Sequence, residues 1–496
     1  MPERVQDLLF GARDGPGPAV VDGQRSVSRE ELAAHVRGVA SRLREAGAGP
    51  GDRVAIFLEK SLESVVAQWA AWTAGAIAVP IHESLRSRQV EHILRDSEAA
   101  LLVSTARKLS RLDEAARGVC RTFDLTLDPG MEDALPDGPA GSDGAAILYT
   151  SGSTGRPKGI LLSHDNLLAG TRIVASYLGI RAEDRLLSVL PFSFDYGLNQ
   201  LTTAAGAGAT LVLQRSHFPG DICRTLSEQA ITGMAAVPPL WIQLMQPGSP
   251  LLEADLPALR YITNSGGVFP VEVLRRYREH LPHVQVFLMY GLSEAFRSSY
   301  LPPEEVDRRP TSMGRAIPET TLYVVDDEGR ECEPGVPGEL VHAGPTVALG
   351  YWRNPEATAA VFRPDPVDPG ATQPVVYSGD LVQWDEDGFL TFVGRRDQML
   401  KCSGFRVSPE EVEEIVQRSE LTREVVAAGE PDPVAGTVIV LHVVPVSAEA
   451  FQEDALRDFC RREMPSYMIP KRIEVHESLP RTSSGKLDRK SLAGSR

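Results

Sequence analysis

Cysteine is scarce and scattered in this chain of 496 residues: Cys120, Cys223, Cys332, Cys402 and Cys460 are the whole set, and no two form a C-x-x-C pair. An odd, dispersed set argues against a disulfide framework or a zinc site and fits a reducing cytosol, so a cytoplasmic protein is expected. Long apolar runs are missing as well. The N-terminal "MPERVQDLLF" has no signal-type apolar core, and no run reaches the roughly 18 residues a membrane span requires. The nearest, "VVAQWAAWTAGAIAVPI", is ended by Pro80 and followed by Glu83, and reads as a buried helix running into a strand. Positive charge is in deficit: 51 Lys and Arg stand against 67 Asp and Glu, a net charge of −16. That balance repels phosphate backbones, so neither nucleic acid nor membrane is expected as a partner.

What is present is ordinary globular composition, 42% hydrophobic and 24% charged. The chain is too long for one core, since single cores stop growing near about 250–300 residues. Through the first 110 residues, "SREELAAHVRGVASRLREAG" (helix, Ser28 as N-cap, Gly47 as stop), "DRVAIFL" (strand), "ESVVAQWAAWTAG" (helix), "AIAVPI" (strand), "RQVEHILRDSEA" (helix) and "ALLVS" (strand) alternate. This rhythm predicts an α/β fold with a parallel-rich sheet and helices on both faces. The acidic, Pro- and Gly-rich "DLTLDPGMEDALPDGPAGSDG" is a loop or linker. From about residue 314 short strands with turn signals such as "DEDG" predict a β-rich subdomain. A compact α+β unit of about 100 residues closes the chain, within the usual size of a domain. The expected division is a large domain over 1–396 and a small mobile domain over 397–496.

Residues 149–159, "YTSGSTGRPKG", follow a buried strand. Thr150, Ser151, Ser153 and Thr154 supply hydroxyls. Gly152, Gly155 and Gly159 let successive N–H groups face one concavity, and Lys158 adds a positive charge. The residues alone suit either a polyphosphate cradle or a plain surface loop. A P-loop of the form G-x-x-x-x-G-K-S/T is absent, because Lys158 is followed by Gly159. In "MYGLSEA", Tyr290 can stack on a flat base and Glu294 can hold a hard cation. "NSGGVFP" makes a strand-to-helix turn around Gly266 and Gly267. "YSGD" sets the carboxylate of Asp380 behind a glycine turn, where it can accept from ribose hydroxyls. "GRRDQMLKCSGFRV" reads as a charged cluster or a hinge, and "LPRTSSGKLDR" places Lys486 in a Ser/Gly loop near the C-terminus.

In this order, and across almost the whole chain, these stretches resemble the acyl-adenylate-forming enzymes: acyl-CoA synthetases, adenylation domains of nonribosomal peptide synthetases, and luciferases. Residues 150–159 match the family's phosphate loop, Ser/Thr-Ser-Gly-Ser/Thr-Thr-Gly-x-Pro-Lys-Gly, in full. The resemblance implies ATP and Mg²⁺ as cofactors. Thr150, Ser151, Gly152, Ser153, Thr154, Gly155 and Lys158 would hold phosphate, and Gly267, Tyr290, Gly291 and Ser293 would surround adenine. Asp380 would take the ribose, Arg395 the ribose and phosphate, and Glu294 the metal. Ser293 stands where the family has threonine and keeps the hydroxyl. Asp397 matches the hinge and Lys486 the catalytic lysine, which bridges acyl carboxylate and α-phosphate. Thr150, Glu294 and Arg395 complete the catalytic set, and residues 401–406 would line the thiol path after the small domain rotates.

The acid is addressed by "LPFSFDYGLNQL". Phe194 stands where many acyl-CoA synthetases carry histidine. Asp195 follows in a frame resembling that of amino acid-activating domains, where the aspartate pairs with the substrate's ammonium; the other reading is an Asp at the start of the next helix. Trp241, Asn264, Ser265 and Gly266 complete the expected substrate pocket. An amino acid is favoured, with a hydrophobic or aromatic acid as the alternative. The chain ends ten residues after Lys486 and holds no carrier-domain serine motif, so a stand-alone enzyme is expected. Its acceptor would be coenzyme A or the phosphopantetheine of a separate carrier protein. A kinase, a luciferase-like oxidation and a non-catalytic binder are the rival classes. Pyrophosphate release separates the first and last of these from an adenylating enzyme.

Overall fold

The computed structural model describes residues 2–11, 15–127, 140–150, 157–395, 399–432, 436–447, 451–480 and 492, with the Arg406 side chain excepted. Two large sheets carry the first four-fifths of the chain. One has seven strands, in the order Gly350–Tyr351, Lys158–Ser163, Gly144–Thr150, Ile77–Pro80, Arg53–Ile56, Leu101–Ser104 and Arg121–Asp124. From Gly144–Thr150 to Arg121–Asp124 the neighbours are parallel, as the alternating helix–strand rhythm predicts. The other sheet has fourteen strands. Its parallel centre holds Arg185–Ser188, Gly233–Ala236, Tyr261–Asn264 and Gln285–Tyr290. Beyond Gln285–Tyr290 the pairing turns antiparallel, through Ser299–Leu301 and Ser312–Ala316, to Leu390–Arg395 and Val375–Trp384. The short, turn-punctuated strands past residue 314 are thus continuous with the parallel sheet.

Helices between the sheets are apolar nearly all round. In Leu62–Thr73 both Trp69 and Trp72 are fully buried, edge to face at 5.1 Å. Helix Arg29–Glu45 starts at Ser28 through a capping box with Glu31, as read from the sequence.

Residues 399–480 build a separate core. A hairpin, Leu400–Cys402 with Phe405–Val407, leads into the sheet Thr422–Asp432, Gly436–Pro445 and Arg472–Val475. Helices Pro409–Gln417 and Glu453–Glu463 cover it, burying Val412, Val416, Leu441, Leu456 and Met464. Among the described residues, no helix is long and apolar enough to cross a membrane.

Candidate active site

A cleft lies where the ends of these elements meet. It is lined by Thr150, Phe194, Asp195, Ser265, Gly266, Gly291, Ser293, Glu294, Asp380 and Arg395 of the large domain, together with Lys401, Gly404, Phe405 and Tyr467 of the small one. Parallel strands leave their C-terminal ends and following turns on one edge, which is why residues from distant motifs converge here.

Thr150 ends the strand Gly144–Thr150 and pairs with Lys158, the first residue of the antiparallel strand Lys158–Ser163. The strand Lys158–Ser163, which leads into helix His164–Leu178, is absent from the sequence reading. Ser151, Gly152, Ser153, Thr154 and Gly155 lie outside the described residues, as do Asp397 and Lys486. Lys158 holds its ammonium 5.6 Å from the Tyr351 ring centroid, and the Tyr351 hydroxyl donates to Glu294 Oε1 at 2.7 Å. Tyr351 thus links Lys158, expected to hold phosphate, to Glu294, the expected metal ligand. No motif marks it in the sequence; only the pairing of Gly350–Tyr351 with Lys158–Ser163 brings it in.

Asp380 and Arg395 face each other across the antiparallel strands Val375–Trp384 and Leu390–Arg395. The Asp380 carboxylate is 2% exposed. It accepts from the Tyr290 hydroxyl on one oxygen and from Arg395 on the other. Tyr290 sits between the ammonium of Lys401, 5.6 Å from its ring centroid, and the near-parallel ring of His342 at 6.0 Å. Of the expected adenine neighbours, Gly291 and Ser293 line the cleft; Gly267 lies one step off it, its carbonyl accepting from Asn264 Nδ2 at 3.1 Å.

The expected substrate pocket divides. Phe194, Asp195, Ser265 and Gly266 line the cleft. Asn264 is buried behind them. Trp241 does not line it: helix Pro238–Leu244 turns the indole inward, edge-on to Tyr277 at 5.4 Å and Phe269 at 6.4 Å, with Nε1 donating to the Ala236 carbonyl at 3.2 Å. Trp241 is a core residue here, because its one polar atom is satisfied by the helix's own approach strand.

Asp195 is the first residue of helix Asp195–Ala207, whose N-cap is Phe194 with no side-chain capping bond. Gly197 is required two residues on, since a Cβ there would lie 2.1 Å from the Pro191 carbonyl oxygen. The Asp195 carboxylate already has a charged partner. Oδ2 accepts from Arg297 Nη1 at 2.7 Å, in an ion pair whose side chains are 4% and 2% exposed. Burial raises the Asp195 pKa, and the Arg297 charge works against that rise. Arg297 is a site residue that the sequence reading passed over, although it stands three positions after Glu294.

The small domain's contribution is the turn between Leu400–Cys402 and Phe405–Val407. Phe405 stacks on Tyr467 at 4.1 Å and meets His82 edge-on at 5.1 Å and Phe194 at 6.1 Å. Burial, with help from the charges of Lys108 and His217, lowers His82 to about 4, so it is a neutral ring wall of the cleft at pH 7.

A cleft between strand ends of a large domain and a turn of a small one, lined by Glu294, Asp380 and Arg395, is an arrangement that suits a nucleotide-binding two-domain protein. The family models agree: that of the AMP-binding enzymes matches residues 11–352, and that of their C-terminal domain matches residues 411–486. The chain belongs to the AMP-binding enzyme family. It is 30% identical over 481 residues to tyrocidine synthase 3 of Brevibacillus parabrevis, covering 96% of this chain but only 7% of that one. It is also 30% identical to novobiocin biosynthesis protein H of Streptomyces niveus, over 96% of this chain and 79% of the other. Two structures of the o-succinylbenzoate CoA synthetase of Bacillus subtilis, each 26% identical, align over all of this chain. A double mutant bound to its product analogue OSB-NCoA gives a TM-score of 0.87. The complex with the acyl-adenylate intermediate OSB-AMP gives 0.71.

Proposed function

We propose that the protein activates a carboxylic acid with ATP and passes the acyl group to a phosphopantetheine thiol, that of coenzyme A or of a separate carrier protein. In the first half-reaction a carboxylate oxygen attacks the α-phosphorus and pyrophosphate leaves. In the second, the thiol sulfur attacks the acyl carbon, AMP leaves with the oxygen, and the thiol proton passes to solvent.

The observation that carries this reading is the small-domain turn, Lys401, Gly404 and Phe405, lying in one cleft with Glu294, Asp380 and Arg395. That arrangement suits the thiol-transfer half of the cycle, as does the higher similarity to the product-analogue complex than to the acyl-adenylate complex. Asp380 fits a ribose: its buried carboxylate is already oriented by Tyr290 and Arg395 and keeps lone pairs for two hydroxyls. Glu294, 3% exposed and braced by Tyr351, fits Mg²⁺, since a buried carboxylate is stabilised by a cation. The metal would supply neutralisation of phosphate charge. Thr150 and Lys158, with residues 151–155, would position phosphate, and Arg395 would add positive charge beside Asp380. Lys486 would act in the first half-reaction after rotation about Asp397.

The test is ATP–pyrophosphate exchange over a panel of acids, followed by thioester formation with coenzyme A and with a phosphopantetheinylated carrier. Acid-dependent exchange and AMP as the nucleotide product are expected. ADP formation, or no exchange with any acid, would remove the reading.

A further inference from the structure

The Arg297 guanidinium is 2% exposed, yet only one of its three nitrogens has a hydrogen-bond partner among the described residues. Nη1 donates to Asp195 Oδ2 at 2.7 Å and to the Phe296 carbonyl at 2.8 Å. Nε and Nη2 are buried with no such partner. Leaving such donors unsatisfied costs about 1–3 kcal/mol each, more for a charged group, so the spare donors call for a role. Nε and Nη2 form the same edge of the guanidinium, the edge that takes both oxygens of a carboxylate side by side.

The surroundings repeat the pattern. The plane lies over the Tyr196 ring at 4.7 Å, with Phe296 at 5.6 Å, so the cation is framed by aromatic faces. Asn199, one helical turn from Asp195, has a buried Nδ2 without a partner among the described residues, and the same holds for the buried Ser298 hydroxyl. Arg297, Asn199 and Ser298 thus each hold a buried donor without a partner among the described residues. The group stands directly behind the cleft: Asp195 and Gly291 both line it, and a Cβ on Gly291 would be 3.6 Å from Arg297 Nη1.

Resting on the function proposed above, we propose that the activated acid carries a second anionic group, received by the Nε–Nη2 edge of Arg297. The Asp195–Arg297 pair is neutral as it stands. A hydrocarbon tail leaves the spare donors unpaired, and a lone ammonium must break the pair without replacing the anion that Arg297 loses. A second carboxylate supplies the missing acceptor. Meeting it requires the guanidinium to move towards the cleft on the Gly291 side, with the reacting carboxylate at the Glu294 end.

The test compares exchange for chain-matched acids that differ only in the second charge. Succinate is set against butyrate, glutarate against valerate, aspartate against 2-aminobutyrate, and isophthalate against 3-methylbenzoate. A preference of about 100-fold or more in kcat/KM for the diacid is expected in at least one series, because a site built to hydrogen-bond a group rejects analogues lacking it. Preference in the amino or in the des-amino series equally supports the proposal. Arg297→Met should collapse that diacid-to-monoacid ratio towards one, and Arg297→Lys, which keeps charge but loses the fork, should restore part of it. Because Arg297→Met leaves Asp195 buried and alone, Asp195→Asn/Arg297→Met serves as the charge-balanced variant, with melting temperature recorded for each. Efficient exchange with an uncharged-tail acid, at a ratio unmoved by Arg297→Met, overturns the inference and leaves adenylation standing. Absence of exchange with every acid removes the underlying function instead, and the inference with it.

Discussion

Gly404 is the residue on which the proposed thiol-transfer arrangement turns. Its φ is +84°, and a Cβ there would lie 2.6 Å from Val237 Cγ1. A left-handed conformation costs a non-glycine residue about 1–2 kcal/mol before any clash. Gly404→Ala is therefore expected to slow acyl transfer to the thiol by roughly ten- to a hundredfold, while pyrophosphate exchange stays within about threefold. Adding Val237→Ala should recover part of the loss. Equal loss in both half-reactions would show that Gly404 serves the fold rather than the docked turn. Asp380 belongs at the same scale. Asp380→Asn keeps the volume but removes the charge that holds Arg395 and Tyr290. The loss of charge-assisted hydrogen bonds worth about 2 kcal/mol should lower kcat/KM for ATP roughly thirtyfold, with little change in the KM of the acid.

At the scale of elements, the phosphate motif depends on the strand and helix that anchor its C-terminal side. The strand Lys158–Ser163 runs straight into helix His164–Leu178, and Ser163 is both the last strand residue and the N-cap. Its hydroxyl accepts from the Asn166 N–H at 3.1 Å, and the Asn166 side chain accepts from the Ser163 N–H at 2.9 Å. Ser163→Ala should cost about 1 kcal/mol of stability, read as a lower urea midpoint. Lys486 gives the complementary prediction. Lys486→Ala is expected to cut adenylation by orders of magnitude, yet leave thiol transfer from preformed acyl-adenylate largely intact. Equal loss of both steps would remove the two-conformation scheme.

Over the whole molecule, the polar contacts between Arg86 or Arg88 and the small domain are of a kind that parts easily. Arg88 pairs with Glu414 across them at 2.6 Å, both half exposed, and Arg86 donates to the Arg461 carbonyl at 3.0 Å. Exposed pairs of this kind are worth less than about 1 kcal/mol, so they hold the small domain lightly compared with its own core. Stability of the large domain carries a pH signature. His342 is 1% exposed in the strand Gly338–Ala343, with neither ring nitrogen partnered among the described residues, and burial lowers it to about 3. Between its ordinary value near 6.5 and about 3, the unfolded chain binds the proton and the folded chain does not. The stabilisation is complete above that window and is lost as pH falls through it. From pH 6.5 to 5 this one group accounts for up to about 2 kcal/mol. His342→Phe should flatten the fall in urea midpoint over that interval by a corresponding amount; an unchanged slope would assign it to other groups.

Local chemistry made the helix–strand rhythm, the Ser28 cap and the motif residues readable from the chain, because each depends on neighbours within a few positions. The same reading carried a catalogue of cleft residues, since strand ends in a parallel sheet deliver their loops to one edge. Long-range packing accounts for the rest. Lys158–Ser163 escaped notice because its identity as a strand rests on pairing with Gly144–Thr150 and Gly350–Tyr351. Trp241 looked like a pocket wall until a seven-residue helix turned it into the core. Asp195 and Arg297 are 102 positions apart, and a charge's partner cannot be read from spacing at that distance. The order of residues was enough to establish the family, the succession of elements and the chemical groups available. Which of those groups are already paired emerged with the packed fold, because pairing is a property of distances that folding alone creates.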